Sequence, residues 1–319
     1  MSLKNLIEEY KASLKSMDTE ETIDLMFYRP IGFAWAKLAA AIGVTPNMIT
    51  IASIFLGVAG GVLLYFHESL IWLNYVGIFL IIWANSFDSA DGQLARMTKQ
   101  YSRLGRILDG VSGDFWFVAI YVAIVLRVNC TSAFFMSDPW HPWLIWVMAA
   151  LAGACHAQQA AIADYYRQFH LYFLKGKDGS ELDSADALQK DFDALSWGKD
   201  FAKKFTSMFY LNYTKSQESL TPKMQALRAE LRQRMGENIT QRFRDDFRKR
   251  SLPLMKYTNM LSFNTRIIAM IVSVIIQMPW IYFAFELLVL NAMLVYMVLR
   301  HEHHCAALTC ALKNGDYNE

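Results

Sequence analysis

The chain has 319 residues, of which 54% are hydrophobic, 14% aromatic and only 19% charged, with a formal net charge of +2. That composition is too apolar for an ordinary water-soluble domain, and it excludes a disordered chain. Cys130, Cys155, Cys305 and Cys310 stand at irregular spacings that give neither a disulfide framework nor a CxxC zinc pattern, which leaves a polytopic membrane protein.

The first 28 residues are polar and carry both signs of charge, so no secretory leader is expected. Leu3 to Tyr28 reads as an amphipathic helix lying on a membrane surface. Residues 47–66, 70–87, 107–126 and 143–163 follow as nearly uncharged apolar stretches. Each has the length that crosses roughly 30 Å of hydrocarbon as a helix. Residues 165–258 are polar and hold 18 of the 31 Lys and Arg and 12 of the 29 Asp and Glu, a local charge of +6. Within them, Pro222 opens a helix that sets Met224, Leu227, Leu231 and Met235 on one face. This stretch is expected to be a cytoplasmic helical subdomain packed on the membrane face, with an anionic-lipid or substrate-collecting surface as the alternative. Residues 263–300 are apolar again, and the break at Pro279-Trp280 makes them a hairpin of two spans. The tail His301-Glu302-His303-His304-Cys305 has no standard metal-site spacing and reads as solvated.

The expected fold is therefore an all-α integral membrane protein with six transmembrane helices. It divides into an interfacial segment (1–45), four spans (46–164), the cytoplasmic insertion (165–258), and two spans with a tail (259–319). Loop charge orients it. The loops at 67–69, 128–142 and 279–280 lack Lys and Arg, whereas Lys4, Lys11, Lys15, Arg29, Lys37, Arg96, Lys99, Arg103 and Arg106 lie on the other side. Both termini and the insertion are thus expected to be cytoplasmic, in a plasma membrane of bacterial type. Trp72, Tyr75, Trp140, Trp143 and Trp280 fall at the outer ends as an aromatic belt, and Arg127 is the one cation out of place. Asn129-Cys130-Thr131 is a formal glycosylation sequon.

The chemistry gathers at the cytoplasmic ends of spans two and three. The run is Asp88-x-x-Asp91-Gly92-x-x-Ala95-Arg96, eight residues, Gly105, three residues, Asp109, and then Asp114. Carboxylates at membrane depth are costly and face a partner or a wet cavity. Several at adjacent helix ends repel one another unless a cation lies between them. Asp88 and Asp91 are i,i+3 and share a helix face, Gly92 lets a ligand approach the backbone, and Arg96 suits a phosphate. Hard oxygen ligands beside an arginine point to Mg²⁺ or Mn²⁺ on phosphates, and a metal pair would stabilise displacement at phosphorus.

These residues resemble the CDP-alcohol phosphotransferase (CDP-alcohol phosphatidyltransferase) family. Its signature is matched in register by Asp88, Asp91, Gly92, Ala95, Arg96, Gly105 and Asp109. With each position met by roughly one residue in twenty, seven matches arise by chance about once in 10⁹ starts. Thr45-Pro46-Asn47-Met48-Ile49-Thr50 resembles the family's Pro-Asn-x-x-Thr element. The resemblance covers the membrane part and not the insertion. It implies that Asp88, Asp91 and Asp109 hold two divalent cations on the donor's diphosphate. Asn47, Thr50, Gly92, Ala95, Arg96, Ser102 and Gly105 would then surround the CMP moiety. It also implies a homodimer, and a last aspartate that touches the metals and takes the acceptor's proton.

The chain departs from the signature at that last position, where Gly113 stands and the next acid is Asp114. On a regular helix the i+5 position lies about 140° from Asp109, facing away. A one-residue π-bulge across Gly110–Gly113 would restore Asp114 to the site as a metal ligand and base. Without it Asp114 is a bystander and another group, such as His156, takes the proton. Acceptor binding is also open to His156, Arg167 and Arg266, with Lys256 in support, against the plainer readings of interhelical bonding and snorkelling.

The expected activity is transfer of a phosphatidyl or phospho-alcohol group from a CDP-linked donor to a hydroxyl acceptor, releasing CMP. CDP-diacylglycerol with a polar alcohol such as inositol phosphate is favoured. CDP-choline or CDP-ethanolamine acting on diacylglycerol or ceramide is the alternative. An intramembrane prenyltransferase has no need of Gly92, Ala95 and Arg96 in this register. A divalent-cation transporter would continue its acids through the membrane. No nucleic-acid partner is expected.

Overall fold

The structure, a computed structural model, describes residues 3–14, 16, 18–131, 142–176, 182–236 and 238–317. Among them there are only helices, turns and loops, and no strand. The helices are α1 (Leu3–Ser13), α2 (Arg29–Ile42), α3 (Pro46–Leu63), α4 (Trp72–Thr98), α5 (Arg103–Asn129), α6 (Pro142–Lys175) and α7 (Ala185–Ala194). They continue with α8 (Phe201–Ser219), α9 (Pro222–Met235), α10 (Gln241–Met260), α11 (Phe263–Ile275), α12 (Trp280–Ala284) and α13 (Asn291–Asn314). Single π-helical turns occupy Asp24–Tyr28 and Phe285–Leu290. All four cysteines are free.

Among the described residues, five helices are long and apolar enough to cross a membrane: Pro46–Leu63, Leu108–Asn129, Pro142–Leu174, Gln241–Ile275 and Trp280–Asn314. Four of them overlie the expected spans one, three, four and six, and Gln241–Ile275, which runs through α10 and α11, contains the expected fifth but begins inside the 165–258 stretch. The stretch expected as span two folds into the 27-residue α4 but is not among these five. Its apolar run is interrupted by Asn74, Asn85 and Asp88. Trp140, Lys15 and most of the 128–142 loop lie outside the described residues, whereas Trp72, Tyr75 and Trp143 are exposed, as a belt requires.

The chain divides into two units, Met1–Ala152 with Ile267–Phe285, and Gly153–Arg266 with Glu286–Glu319. In the first, α3 nests against both α4 and α5. The contact is close because α3 presents glycines. A methyl on Gly60 would lie 2.7 Å from the Gly77 carbonyl, one on Gly61 would lie 3.0 Å from Ala119 Cβ, and one on Gly57 would enter the Trp116 ring. The single helix expected over Leu3–Tyr28 is instead interrupted after Ser13 and resumes before the π turn. Ser13, Ser16 and Thr19 are buried at the break, and the Thr19 hydroxyl donates to the Ser16 carbonyl.

Arg127 is fully enclosed rather than stranded at an outer surface. Its guanidinium donates to the Leu64 carbonyl at 3.0 Å, Asn74 Oδ1 at 2.8 Å and Gln277 Oε1 at 2.6 Å. Asn74 in turn donates to the Leu63 and Phe66 carbonyls, so the freed carbonyls that end α3 are satisfied by side chains from α4 and α5.

In the second unit α9 forms as expected, with Pro222 in its first turn and Met224, Leu227 and Leu231 buried. The expected solvated tail is corrected: residues 301–305 continue α13, His301 and Cys305 are buried, and His301 stacks on Tyr166 at 3.9 Å. Glu302 accepts from the backbone amides of Lys223 at 2.5 Å and Met224 at 3.1 Å, satisfying two of the otherwise unpaired donors that open α9.

Candidate active site

Asp88 and Asp91 stand one turn apart near the end of α4, and Asp109 comes from the second turn of α5. The structure brings one carboxylate oxygen from each to within 4.8 Å of the others. The three are graded in exposure, Asp91 buried, Asp88 half-buried and Asp109 exposed. Three like charges this close raise one another's energy, and a cation among them removes that cost. The donor set is all hard oxygen, which fits Mg²⁺ or Mn²⁺ better than a thiophilic metal.

Two hydroxyls fix the carboxylates. Thr50, on α3, donates to Asp91 Oδ2 at 2.5 Å, so a residue expected beside the nucleotide lies against the acidic cluster. Ser112, on α5, donates to Asp88 Oδ1 at 2.8 Å. Sequence reasoning missed Ser112; the signal was its place three residues after Asp109, on the adjoining helix face.

A second group forms where α5 begins. Ser102 caps the helix, accepting from the Gly105 amide at 2.8 Å, and its hydroxyl donates to Asn47 Oδ1 at 3.1 Å. A methyl on Gly105 would lie 2.5 Å from Asn47 Oδ1, so any side chain there would displace the Asn47 amide. Asn47, Ser102 and Gly105 are therefore brought together where α5 begins.

Arg96 is held from the amino-terminal side: its Nε donates to the Ser13 carbonyl, and Gln93 Nε2 donates to Ser13 Oγ at 3.0 Å. Gly92 lies one turn before Arg96, and a methyl there would approach the guanidinium to 3.3 Å. Ala95, beside Arg96, is half-buried. Arg29 bridges Glu20 at 2.9 Å and Ser89 at 3.3 Å, a further tie from the amino-terminal segment to α4.

Residues 43–167 match the CDP-alcohol phosphatidyltransferase family model. The matched stretch contains all three carboxylates, the Asn47 group and Arg96, and it bears out the resemblance read from the motif. No curated protein and no solved structure matches the chain. The CDP-alcohol phosphatidyltransferase match points to an enzyme of phospholipid synthesis that transfers a phospho-alcohol from a CDP-alcohol. With the five apolar helices it also points to a multi-pass membrane protein.

The expected π-bulge in α5 is absent. The helix is α-helical from Arg103 to Asn129, so Gly110–Gly113 do not absorb the extra residue. Asp114 is exposed and is not among the three clustered carboxylates.

The residues considered for the acceptor lie in the second unit. Arg266 is 1% exposed; its guanidinium donates to Glu286 Oε1 at 2.8 Å and Gln159 Oε1 at 2.7 Å. His156 Nδ1 lies 3.6 Å from the same Glu286 oxygen. Arg167 donates to Asn259 at 3.2 Å and Ser262 at 2.6 Å, and Lys256 lies over the Tyr257 ring at 4.7 Å. Glu286 lies in the first turn of the π-helical segment Phe285–Leu290 and is fully buried. No second group of metal-ligating side chains occurs among the described residues, the 301–305 run included.

Proposed function

We propose that this protein transfers a phosphatidyl group from CDP-diacylglycerol to a polar alcohol and releases CMP. The observation that carries this is the convergence of Asp88, Asp91 and Asp109 within 4.8 Å, inside the family match. When bound, Mg²⁺ or Mn²⁺, as a pair in our reading, neutralises the donor's diphosphate and stabilises both the entering and the leaving oxygen. Asp88, Asp91 and Asp109 would hold the metal. Thr50 and Ser112 keep two of the carboxylates oriented through their hydroxyls.

Asn47, Ser102, Gly105, Gly92, Ala95 and Arg96 form the cradle for the CMP part. Gly105 leaves room at the start of α5, and the Arg96 guanidinium faces phosphate once Ser13 releases it. The acceptor oxygen attacks the β-phosphorus, its bond to phosphorus forms as the bond to the CMP oxygen breaks, and the hydroxyl proton passes to a carboxylate. Asp109, exposed and in the cluster, is the group we assign to that proton; Asp114 is the weaker choice because the regular helix turns it away. The fixed partners of Arg266 withdraw its support from a phosphate-bearing acceptor, and inositol phosphate becomes one alcohol among several to test.

For the membrane arrangement we propose six spans, with α4 crossing as the second, shielded by α3 and α5, and both termini on the cytoplasmic side. The distribution of loop cations supports it.

The test is CMP release by the purified chain in lipid nanodiscs with Mg²⁺ or Mn²⁺. One set of reactions pairs CDP-diacylglycerol with inositol phosphate, inositol, serine or glycerol phosphate. Another pairs CDP-choline or CDP-ethanolamine with diacylglycerol or ceramide. Metal-dependent CMP from one CDP-diacylglycerol pairing, abolished by Asp91→Asn, supports the proposal. CMP only with a soluble CDP-alcohol overturns the donor assignment, and failure to bind any CDP-linked donor overturns the whole reading.

A further inference from the structure

Helix α8 carries a row of aromatic side chains that nothing in its own unit covers. Phe201, Phe205 and Phe209 are four residues apart and therefore share one face, and Trp197 extends the row from the preceding loop. They are 62%, 44%, 58% and, for Trp197, 47% exposed. Leu211, Thr214 and Gln217, on the other side of the helix, are buried. The rings touch in sequence, Trp197 to Phe201 at 5.9 Å, Phe201 to Phe205 at 5.9 Å and Phe205 to Phe209 at 5.0 Å. The loop is fixed in line with the helix by Lys204, whose amino group donates to the Leu195 carbonyl at 2.6 Å and lies over the Phe192 and Trp197 rings.

Four adjoining aromatic side chains left exposed mark an interaction site. The surrounding charge selects the partner. Residues 199–215 contain Lys199, Lys203, Lys204 and Lys215 against Asp200 alone. Lys199 and Lys203 are exposed and make no ion pair among the described residues. Helix α7 exposes Asp186, Asp191 and Asp193 instead. A partly apolar ridge with cations at its edge matches an anionic bilayer interface, where aromatic rings settle at headgroup depth and lysines meet phosphates. A chain with five helices apolar enough to cross a membrane always has such a surface at hand.

We propose that the Trp197–Phe209 face of α8 is a membrane-docking element that enters the interface of an anionic leaflet, with Lys199 and Lys203 on the headgroups. The docking is independent of the transferase reading, and it gives one part of the 165–258 stretch a definite role.

The test uses the full chain with Cys130→Ser and Cys310→Ser, which removes the two exposed thiols. Phe205→Cys then takes a nitroxide, and the protein is placed in nanodiscs of phosphatidylcholine with or without phosphatidylglycerol. The expected result is a shift of label accessibility from a water-soluble nickel chelate toward oxygen when phosphatidylglycerol is present, with loss of that shift in Lys199→Glu/Lys203→Glu. Nickel access that dominates in both lipids overturns the proposal. So does spin–spin broadening that vanishes on dilution with unlabelled chain, because it assigns the face to a second copy. Hydrogen exchange on the unlabelled chain gives a second readout: slower exchange over 201–213 with phosphatidylglycerol, absent in Phe201→Ser/Phe205→Ser/Phe209→Ser, supports docking. Equal exchange in both lipids counts against it.

Discussion

Ser112 on α5 donates its hydroxyl to Asp88 on α4 at 2.8 Å, so the two helices that carry the acidic cluster are joined at the cluster itself. The bond fixes which Asp88 oxygen remains free to bind a cation. Partners of this kind cost 10–100-fold in metal affinity or activity when removed, as an order of magnitude. Ser112→Ala is therefore expected to raise the Mn²⁺ concentration needed for half-maximal CMP release by about 10-fold or more, with turnover regained at saturating Mn²⁺. A metal titration of CMP release checks it, and chelation by EDTA is expected to silence both proteins reversibly. An unchanged titration would remove Ser112 from the site.

The regular α5 makes a second prediction. Asp114 lies about 140° around the helix from Asp109, so Asp114→Asn is expected to keep near-normal turnover while Asp109→Asn loses it. A methyl on Gly113 meets nothing within 4 Å, so Gly113→Asp folds without a clash and adds a carboxylate one turn beyond Asp109. We expect it to raise turnover at unchanged donor KM. Steady-state rates for the three variants decide the matter, and a dead Asp114→Asn enzyme would return that residue to the mechanism.

Gly105→Ala is predicted to weaken donor binding rather than the fold. Its methyl would collide with Asn47 Oδ1 and with the capping hydroxyl of Ser102, 2.9 Å away, displacing both. Loss of the cap alone costs about 1 kcal/mol, too little to unfold the chain. The donor KM or Kd should rise sharply while the thermal midpoint moves by a few degrees. A normal KM would mean that the cradle lies elsewhere.

The Arg266–Glu286 pair predicts a stability effect. Breaking a buried ion pair leaves an uncompensated charge, at a cost of about 3–5 kcal/mol. Arg266→Met and Glu286→Gln are each expected to lower the unfolding midpoint in detergent, and the double variant to recover most of the loss. Additive losses would show that the two residues act separately.

The acidic cluster was largely legible in the sequence, because Asp88 and Asp91 are tied by helical spacing and Asp109 by a motif of fixed length. What was not legible depended on contacts between distant segments. Thr50 on Asp91 and Ser13 on Arg96 join residues 41 and 83 positions apart. The charge of Arg266 suggested a phosphate, but its partner Glu286 lies on another helix, and only the fold puts the two together. A π-bulge was expected across Gly110–Gly113, where one residue is in excess of the motif, yet α5 keeps its regular α-helical bonding and the excess residue simply turns Asp114 away. The apolar stretches read as six spans, and five helices of the described residues are long and apolar enough to cross a membrane; α4 is not among them because Asn74 and Asn85 dilute its apolar run, although Asn74 is satisfied inside the bundle.

The glycines of α3 have a consequence for how this site could change over time. Gly57, Gly60 and Gly61 bear no chemistry and lie about 10–17 Å along the helix from Thr50, at 1.5 Å per residue. They nonetheless set the gap between the helices that bring Asp88, Asp91 and Asp109 together. A single added methyl on this row would act as a wedge, widening the spacing of the carboxylates at the far end. Selectivity between a small ion such as Mg²⁺ and a larger one could therefore be retuned from a place no ligand ever touches.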